Sequence, residues 1–146
     1  MGMLWMGWSG PLVLVNEIMN QNTYVNVLAK TYIPWVKEKP EVIFQQDGAP
    51  CHSGEYTKWW LQTHGVEVLP WAGQSPDLNP IEYLWDLIDR NVRKQRPLPN
   101  NVEKLKVAIM KEWAAIDVET CRNLIRSMNR RVKAVIQARG MHTKIN

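Results

Sequence analysis

The chain has 146 residues, of which 45% are hydrophobic, and it contains eight Trp and one Phe. This length and composition allow one globular domain with a sizeable core, which excludes an intrinsically disordered chain. The two cysteines, Cys51 and Cys121, lie far apart in the sequence and form no Cys-x-x-Cys motif. The sequence therefore predicts neither a disulfide framework nor a zinc site, and a reducing compartment, the cytoplasm or the nucleus, fits best.

The formal net charge of +4 conceals an uneven distribution of charge along the chain. Residues 1–89 contain four Lys and Arg against ten Asp and Glu, a net of −6, whereas residues 90–146 contain fourteen against four, a net of +10. A basic segment of this kind is typical of nucleic-acid binding, and carboxylates in an acidic segment can hold metal ions. A solvated helical surface explains the same charges, so both interpretations stay open. No stretch is apolar for long enough to span a membrane.

The first third of the chain predicts a hairpin followed by a helix. Residues 3–8 and 12–15 are short apolar runs separated by Ser-Gly-Pro, the pattern of two strands joined by a tight turn. Asn20 or Asn22 is a suitable N-cap for a helix that runs to about Val36.

The middle third predicts two buried strands with a helix between them. Residues 42–44 and 66–69 are short runs rich in β-branched or apolar residues, as expected of buried strands. Ser53 is predicted to cap a helix that reaches His64, and Gly65 to stop it. The aromatic residues at helical spacing are expected to lie in the core: Tyr56, Trp59 and Trp60 in this helix, and Trp85 and Trp113 further along the chain.

Three capped helices are predicted for the rest of the chain. Asn79, Asn101 and Asp117 each precede an amphipathic run and are suitable N-caps, and Pro80 favours a helix start after the first of them. The apolar residues expected to point inward are Ile81, Leu84, Trp85, Ile88 and Val92 in the first helix, Val102, Leu105, Ile109, Trp113 and Ile116 in the second, and Cys121, Leu124, Ile125, Met128, Val132, Val135 and Ile136 in the third.

Two carboxylates, Asp47 and Glu82, stand where catalytic acids can occur, with 34 residues between them. Asp47 follows a strand of the buried type, the place where open α/β sheets gather ligand groups, and Glu82 is the third residue of a capped helix. Each also has a purely structural interpretation, as a turn residue before Gly48 and as a cap that reaches the backbone N–H of Asn79. His52, five residues after Asp47, can contact a substrate or leaving group or merely precede a helix cap.

In combination these motifs resemble the DDE transposases of the mariner superfamily, in particular the branch with 34 residues between the second and third acids. The segments that carry the resemblance are Phe44-Gln45-Gln46-Asp47 with Pro50 and His52, then Trp71, then Gln-Ser-Pro-Asp-Leu-Asn-Pro-Ile-Glu at 74–82 with Leu84-Trp85, then Ser-Met-Asn-Arg-Arg at 127–131 and Gly-Met-His-Thr-Lys at 140–144. The motif at 74–82 is highly specific, and the resemblance covers nearly the whole chain.

The resemblance implies a ribonuclease-H-like α/β fold, a mixed sheet flanked by helices. It also implies that Asp47 is the second and Glu82 the third acid of a site that holds two Mg²⁺ or Mn²⁺ ions for DNA strand cleavage and transfer. The implied partners are transposon-end and target DNA in the nucleus, with a homodimer as a further possibility and with no membrane and no small-molecule substrate. The residues expected to contact nucleic acid are His52, Arg93, Lys94, Arg126, Arg130, Arg131 and Lys133.

The chain departs from the family pattern at its start. The family's first acid lies on the first, central strand of the fold, whereas this sequence has no Asp before Asp47. We therefore expect an incomplete sheet without that strand, a truncated catalytic core at 1–94 and a basic helical extension at 95–146 packed on it. The chain is expected to be a transposase fragment that is inactive alone. The alternatives are a non-catalytic module that binds nucleic acid or protein, and a decayed fragment with no selected role.

Overall fold

The computed structural model describes residues 4–5, 8–37, 39, 42–71 and 78–139. Packing divides the chain into two units, of which Val13–Gln74 forms the first, and Gly2–Leu12 together with Ser75–Asn146 forms the second. The predicted division into a truncated catalytic core at 1–94 and a basic helical extension at 95–146 stays a prediction.

The first unit begins with a helix that widens midway. Its three successive segments are α1 at Gln21–Val27, a π-helical turn at Leu28–Tyr32 and α2 at Ile33–Val36. The Asn20 side chain accepts a hydrogen bond from the Thr23 N–H at 3.0 Å, so the predicted N-cap is confirmed. Pro34 has no N–H to donate to the carbonyl four residues earlier, and the wider turn before it lets the helix continue despite that loss.

The two predicted strands of this unit are reduced to one parallel bridge between Phe44 and Val68. The N–H of Phe44 donates to the Glu67 carbonyl, and the Phe44 carbonyl accepts from the Leu69 N–H, both at 2.8 Å. The two runs are therefore neighbours, but within the described residues they do not extend into a longer ladder.

A short helix and a longer one follow the bridge: α3 spans Pro50–Ser53 and α4 spans Glu55–Thr63. The prediction that Ser53 caps α4 is wrong, because Gly54 is the N-cap. Pro50 starts a helical turn earlier than expected, and the Ser53 hydroxyl donates to the Ala49 carbonyl at 3.1 Å. Gly65, with φ of 64°, follows the end of α4 as predicted.

The aromatic residues of α4 divide between the core and the solvent. Trp60 is buried, as predicted. Tyr56 and Trp59 are 42% and 57% exposed, and their rings stack with centroids 5.8 Å apart, so the prediction that both lie in the core is wrong. The inward position is taken by Thr57, which is fully buried and whose hydroxyl donates to the Cys51 carbonyl at 2.7 Å.

The second unit contains a short antiparallel hairpin from the start of the chain. β1 at Leu4–Trp5 pairs with β2 at Trp8–Ser9, with Leu4 opposite Ser9 and Trp5 opposite Trp8. The hairpin therefore starts within the run predicted as its first strand, and the prediction of a second strand at residues 12–15 is wrong. Pro11 has no N–H for a ladder, and Leu12 packs against the core of this unit.

Three helices build this core: α5 at Pro80–Lys94, α6 at Val102–Ala114 and α7 at Val118–Gln137. The predicted N-caps are confirmed, because the side chains of Asn79, Asn101 and Asp117 each accept a hydrogen bond from a backbone N–H of the first turn. The buried residues of the core are Leu84, Ile88, Val92, Ala108, Trp113 and Leu124. Burial of one stripe of α5 leaves Glu82 on an outward face of its first turn.

Several apolar side chains that were predicted to point inward are exposed instead. The exposed fractions are 66% for Val102, 41% for Leu105, 41% for Val132 and 70% for Ile136. The buried residues of α6 lie in its C-terminal half and those of α7 in its N-terminal half, so the core covers only the parts next to the connection between them. Gly140, predicted to end α7, lies outside the described residues. Of the helices that the structure describes, none has the length and apolarity required to cross a membrane.

The two thiols should differ in reactivity. Cys121 is fully buried on α7, and burial, with the charge of Asp117, raises the pKa of its thiol, whereas Cys51 is only half-buried. We expect a disulfide reagent to label Cys51 rapidly and Cys121 on the order of tenfold or more slowly, because labelling of Cys121 waits for local opening. Cys51→Ser should remove the fast phase of the absorbance change, and equal rates for both thiols in the folded protein would contradict the prediction.

Candidate active site

Asp47 lies three residues past the bridge at Phe44, in the loop that leads to α3. Its Oδ1 takes part in two hydrogen bonds, from the Ala49 N–H at 3.0 Å and with Nδ1 of His52 at 2.5 Å. The side chain of Asp47 is nevertheless 58% exposed. The structural and functional interpretations therefore coexist, since Oδ1 closes the turn while the carboxylate stays open to solvent.

The surroundings of Asp47 favour the ionised carboxylate. Partial burial by itself would raise the pKa of this group. The hydrogen bonds from Ala49 and His52, together with the charge interaction with His52, outweigh that effect and hold the pKa below its ordinary value. The ionised form is the one that can bind a hard divalent cation.

The His52 ring and backbone are both held in place. The ring lies against that of Tyr24, with centroids 4.2 Å apart and 39° between the planes. The His52 carbonyl accepts from Nε2 of Gln46 at 3.3 Å, and Oε1 of Gln46 accepts from the Tyr24 hydroxyl at 2.8 Å. Tyr24 is 1% exposed, and burial, with smaller contributions from nearby groups including Cys51 and Asp47, raises the pKa of its hydroxyl. The hydroxyl therefore stays protonated and acts as a donor.

Reasoning from the sequence missed the roles of Tyr24 and Gln46. Gln46 belongs to the motif that ends at Asp47, and this position was a signal that could have drawn attention to it. Tyr24 lies on α1, 22 residues before Gln46, and no pattern in the sequence indicates that their side chains meet.

A cavity of about 450 Å³ opens beside Asp47 and His52. Side chains of α4 and of the run that follows it form much of its wall, including Lys58, Leu61 and Val68. The Asp47–His52 pair therefore lies at the edge of an accessible cleft and not inside the core.

Glu82 is exposed in the first turn of α5 and belongs to the second unit. Its Oε1 accepts from the side-chain amide of Asn79 at 3.4 Å, which differs from the expected cap contact to the backbone N–H. Asp47 and Glu82 thus belong to different units. Across the described ranges, no three His, Cys, Asp or Glu side chains cluster as a metal site. The pairing of the two acids at one site stays a prediction.

The predicted nucleic-acid contacts other than His52 lie on α5 and α7 of the second unit. Three of these cations have side-chain partners: Arg93 with Asp89 at 2.7 Å, Arg126 with Glu119 at 3.2 Å and Arg131 with the Ser127 hydroxyl at 3.0 Å. Lys94, Arg130 and Lys133 are exposed. Exposed cations on α7 are available to an anionic partner, while Arg126 is partly neutralised by Glu119.

A comparison with protein families decides the ancestry of the chain. The family model of the DDE superfamily endonucleases matches residues 1–106, a range that includes Asp47, His52 and Glu82. The chain belongs to the DDE superfamily endonuclease family. The predicted resemblance to DDE transposases is thereby confirmed.

Relatives of this DDE family chain are transposases. The Tcb2 transposase of Caenorhabditis briggsae is 36% identical over 148 residues, which cover 97% of this chain and 54% of the relative. The catalytic domain of Mos1, a mariner transposase of Drosophila mauritiana, solved with raltegravir and Mg, matches with a TM-score of 0.77 and 27% identity over 88% of this chain and 67% of its own. The Mos1 paired-end complex with the left transposon end matches with a TM-score of 0.82 and 25% identity, and the match covers 97% of this chain and 43% of the Mos1 chain. The DDE family chain spans about half the length of the curated relatives it matches.

The fold prediction is confirmed in its coarse form. The DDE family chain shares the fold of the Mos1 catalytic domain, the ribonuclease-H-like class. The described residues are mostly helical, and of the predicted mixed sheet they show only the hairpin and the bridge between Phe44 and Val68. The finer prediction, a sheet without its first central strand, stays a prediction.

Proposed function

We propose that this chain supplies the second and third acids, Asp47 and Glu82, of the active site of a mariner-type DDE transposase. The observation that carries the proposal is the family match, which contains both acids with 34 residues between them. Each acid also has a suitable local setting, Asp47 just past the bridge at Phe44 and Glu82 in the first turn of α5. In this role the chain takes part in cutting and joining DNA strands.

We propose Mg²⁺ or Mn²⁺ as the cofactor. Carboxylate oxygens suit both ions, and Asp47 and Glu82 are each exposed enough to give an oxygen to one. Solved structures of the Mos1 catalytic domain with Mg and with Mn support this choice. When bound, such cations activate the attacking hydroxyl or water and stabilise the leaving oxygen. These two acids alone are one short of the three that the resemblance implies.

We propose that the first acid and the central strand that carries it come from outside these 146 residues, since no Asp precedes Asp47. The chain by itself is then inactive in strand cleavage. Purified chain incubated with Mg²⁺ and transposon-end DNA should give no nicked product. Nicking that disappears in Asp47→Ala would overturn this part of the proposal.

The proposed partners are transposon-end and target DNA, in the nucleus, with the active form a homodimer. The support is the exposed basic face of α7 and the existence of a Mos1 paired-end complex with a transposon end. The net charge of +10 over residues 90–146 also favours a second candidate function, a nucleic-acid-binding module without catalysis. DNA binding that is salt-sensitive but independent of both acids and of divalent metal would favour this second function.

Removal of either acid should weaken the binding of divalent metal. Asp47→Asn and Glu82→Gln are each expected to lower the affinity of the full chain for Mn²⁺ about tenfold or more, because the shape of the side chain is kept while the charged oxygen ligand is lost. Electron paramagnetic resonance of free Mn²⁺ during a titration measures the change. Glu103→Gln is the matched control, since Glu103 is exposed on α6 and pairs with Lys106. An equal loss in the control, or no loss in either acid variant, would contradict the proposal.

A further inference from the structure

The hydrogen bonds on the Asp47 carboxylate are unevenly distributed between its two oxygens. Within the described residues both bonds, from the Ala49 N–H and from His52, end on Oδ1. Since Oδ1 is occupied and the side chain is still 58% exposed, Oδ2 is the oxygen left for a ligand. An ionised carboxylate only accepts hydrogen bonds, so Nδ1 of His52 carries the hydrogen and donates it.

The His52 side chain, which donates this hydrogen bond, has little freedom to move. The His52 side chain is 19% exposed, in contrast to the open Asp47 carboxylate that it contacts. Its ring packs on the buried Tyr24, and the Tyr24 hydroxyl and the His52 carbonyl are tied together through the two ends of the Gln46 side-chain amide. The loop that carries Asp47 is therefore linked to α1 through Gln46 and His52, and the contact with Tyr24 on α1 helps to set the direction of the Nδ1–H bond.

We propose that His52 is a positioning residue, which fixes the Asp47 carboxylate through Oδ1 so that Oδ2 faces a divalent cation. This inference rests on the proposed metal site and gives His52 a task different from the predicted contact with nucleic acid. A carboxylate held in its binding orientation loses less conformational freedom when a cation binds, so its affinity rises. Hydrogen-bond partners that orient metal ligands typically change metal affinity by about 10–100-fold.

Three substitutions of His52 test whether the donor at the Nδ1 position matters. His52→Asn places an amide nitrogen near the position of Nδ1, His52→Gln places it near the position of Nε2, and His52→Phe keeps a ring against Tyr24 without either nitrogen. We expect His52→Asn to bind Mn²⁺ within about threefold of the unaltered chain, and His52→Gln and His52→Phe to bind it about tenfold or more weakly.

Two measurements read the affinity independently of catalysis. Free Mn²⁺ is followed by electron paramagnetic resonance, and the paramagnetic broadening of the Ala49 amide is followed in ¹H–¹⁵N spectra, because this amide donates to Oδ1 of Asp47. The same spectra report whether each variant is folded. If His52→Phe does not fold, the comparison between His52→Asn and His52→Gln still decides. Equal affinity in those two variants, or full affinity in His52→Gln, would overturn the positioning role.

A parallel titration of Asp47→Asn separates this inference from the function on which it rests. If Asp47→Asn leaves Mn²⁺ affinity unchanged, the proposed metal site fails and the positioning role fails with it. If Asp47→Asn loses Mn²⁺ binding while all three His52 variants keep it, the metal site stands and only the positioning role is overturned.

Discussion

Trp113→Ala is expected to destabilise the second unit by about 3–5 kcal/mol, the range found when a buried Trp side chain is deleted. Trp113 is 5% exposed and belongs to the core built by α5, α6 and α7. Its ring centroid lies 5.3 Å from that of Trp85, and its indole N–H donates to the Gly10 carbonyl at 2.8 Å. The substitution creates a cavity and leaves that carbonyl without its partner, so both effects contribute. Urea unfolding followed by far-UV circular dichroism measures the loss.

Two matched variants separate these effects. Trp113→Phe keeps an aromatic ring against Trp85 but removes the indole N–H, so it should cost about 1–3 kcal/mol, chiefly for the unpaired carbonyl of Gly10. Trp59→Ala removes a ring that is 57% exposed and should change the free energy of unfolding by about 0.5 kcal/mol or less. A loss under about 1 kcal/mol for Trp113→Ala would show that the packing described for this core is not the packing in solution.

Joint substitution of Arg130→Ala and Lys133→Ala is expected to lower the affinity for duplex DNA of arbitrary sequence about tenfold per charge at low salt. Both side chains are exposed on α7, where they can reach phosphates. The slope of the logarithm of affinity against the logarithm of salt concentration should fall in magnitude by about 0.9 for each phosphate contact removed. Fluorescence anisotropy of labelled DNA at several salt concentrations measures both quantities.

A substitution at Glu119 on the same helix is a control that should raise DNA affinity instead of lowering it. Glu119 pairs with Arg126 at 3.2 Å and lies 3.9 Å from Arg122. Glu119→Gln removes the negative charge and frees both arginines, so DNA affinity should rise. The basic face of α7 is not the DNA-binding surface if the double variant keeps both the affinity and the salt slope of the unaltered chain.

Helix starts could be predicted from the sequence because a cap depends on residues within three positions of it. Asn79, Asn101 and Asp117 each accept a hydrogen bond from the first turn of the following helix, as predicted. The one cap that was predicted wrongly, Ser53, fails for a local reason, since Pro50 starts a helical turn three residues earlier.

Burial was harder to predict, because it depends on which distant segments cover a helix. Trp59 and Trp60 are adjacent and chemically identical, yet one is 57% and the other 6% exposed. Periodicity places them only 100° apart around α4, and nothing local says which of them meets a neighbour. Val102 shows the same limit, since it continues the apolar stripe of α6 into a turn that the core does not cover.

In the candidate site too, local features could be predicted from the sequence and contacts between distant segments could not. Asp47 lies in the loop before α3 and His52 lies five residues later in α3, so their contact is local in sequence, although it was not predicted from the sequence. The hydrogen bond from the Tyr24 hydroxyl to Gln46 joins residues 22 positions apart, and the sequence alone could not predict it. Glu82 was marked by the motif at 74–82 and by the helix start, which are signals of ancestry and of local structure rather than of its distance from Asp47.

The hydrogen bond between the Trp113 indole and the Gly10 carbonyl joins residues 103 positions apart, and this separation bears on the order of events during synthesis. At about 5–20 residues per second, Gly10 emerges from the ribosome roughly 5–20 s before Trp113. In that interval the contiguous segment 13–74 can form its own unit. The hairpin belongs to the second unit and can pack only after α5, α6 and α7 have been synthesised. A protein that ended at residue 94 would lack Trp113. It should therefore fold only its first unit, and the segment that carries the hairpin would lack its hydrogen bond to α6.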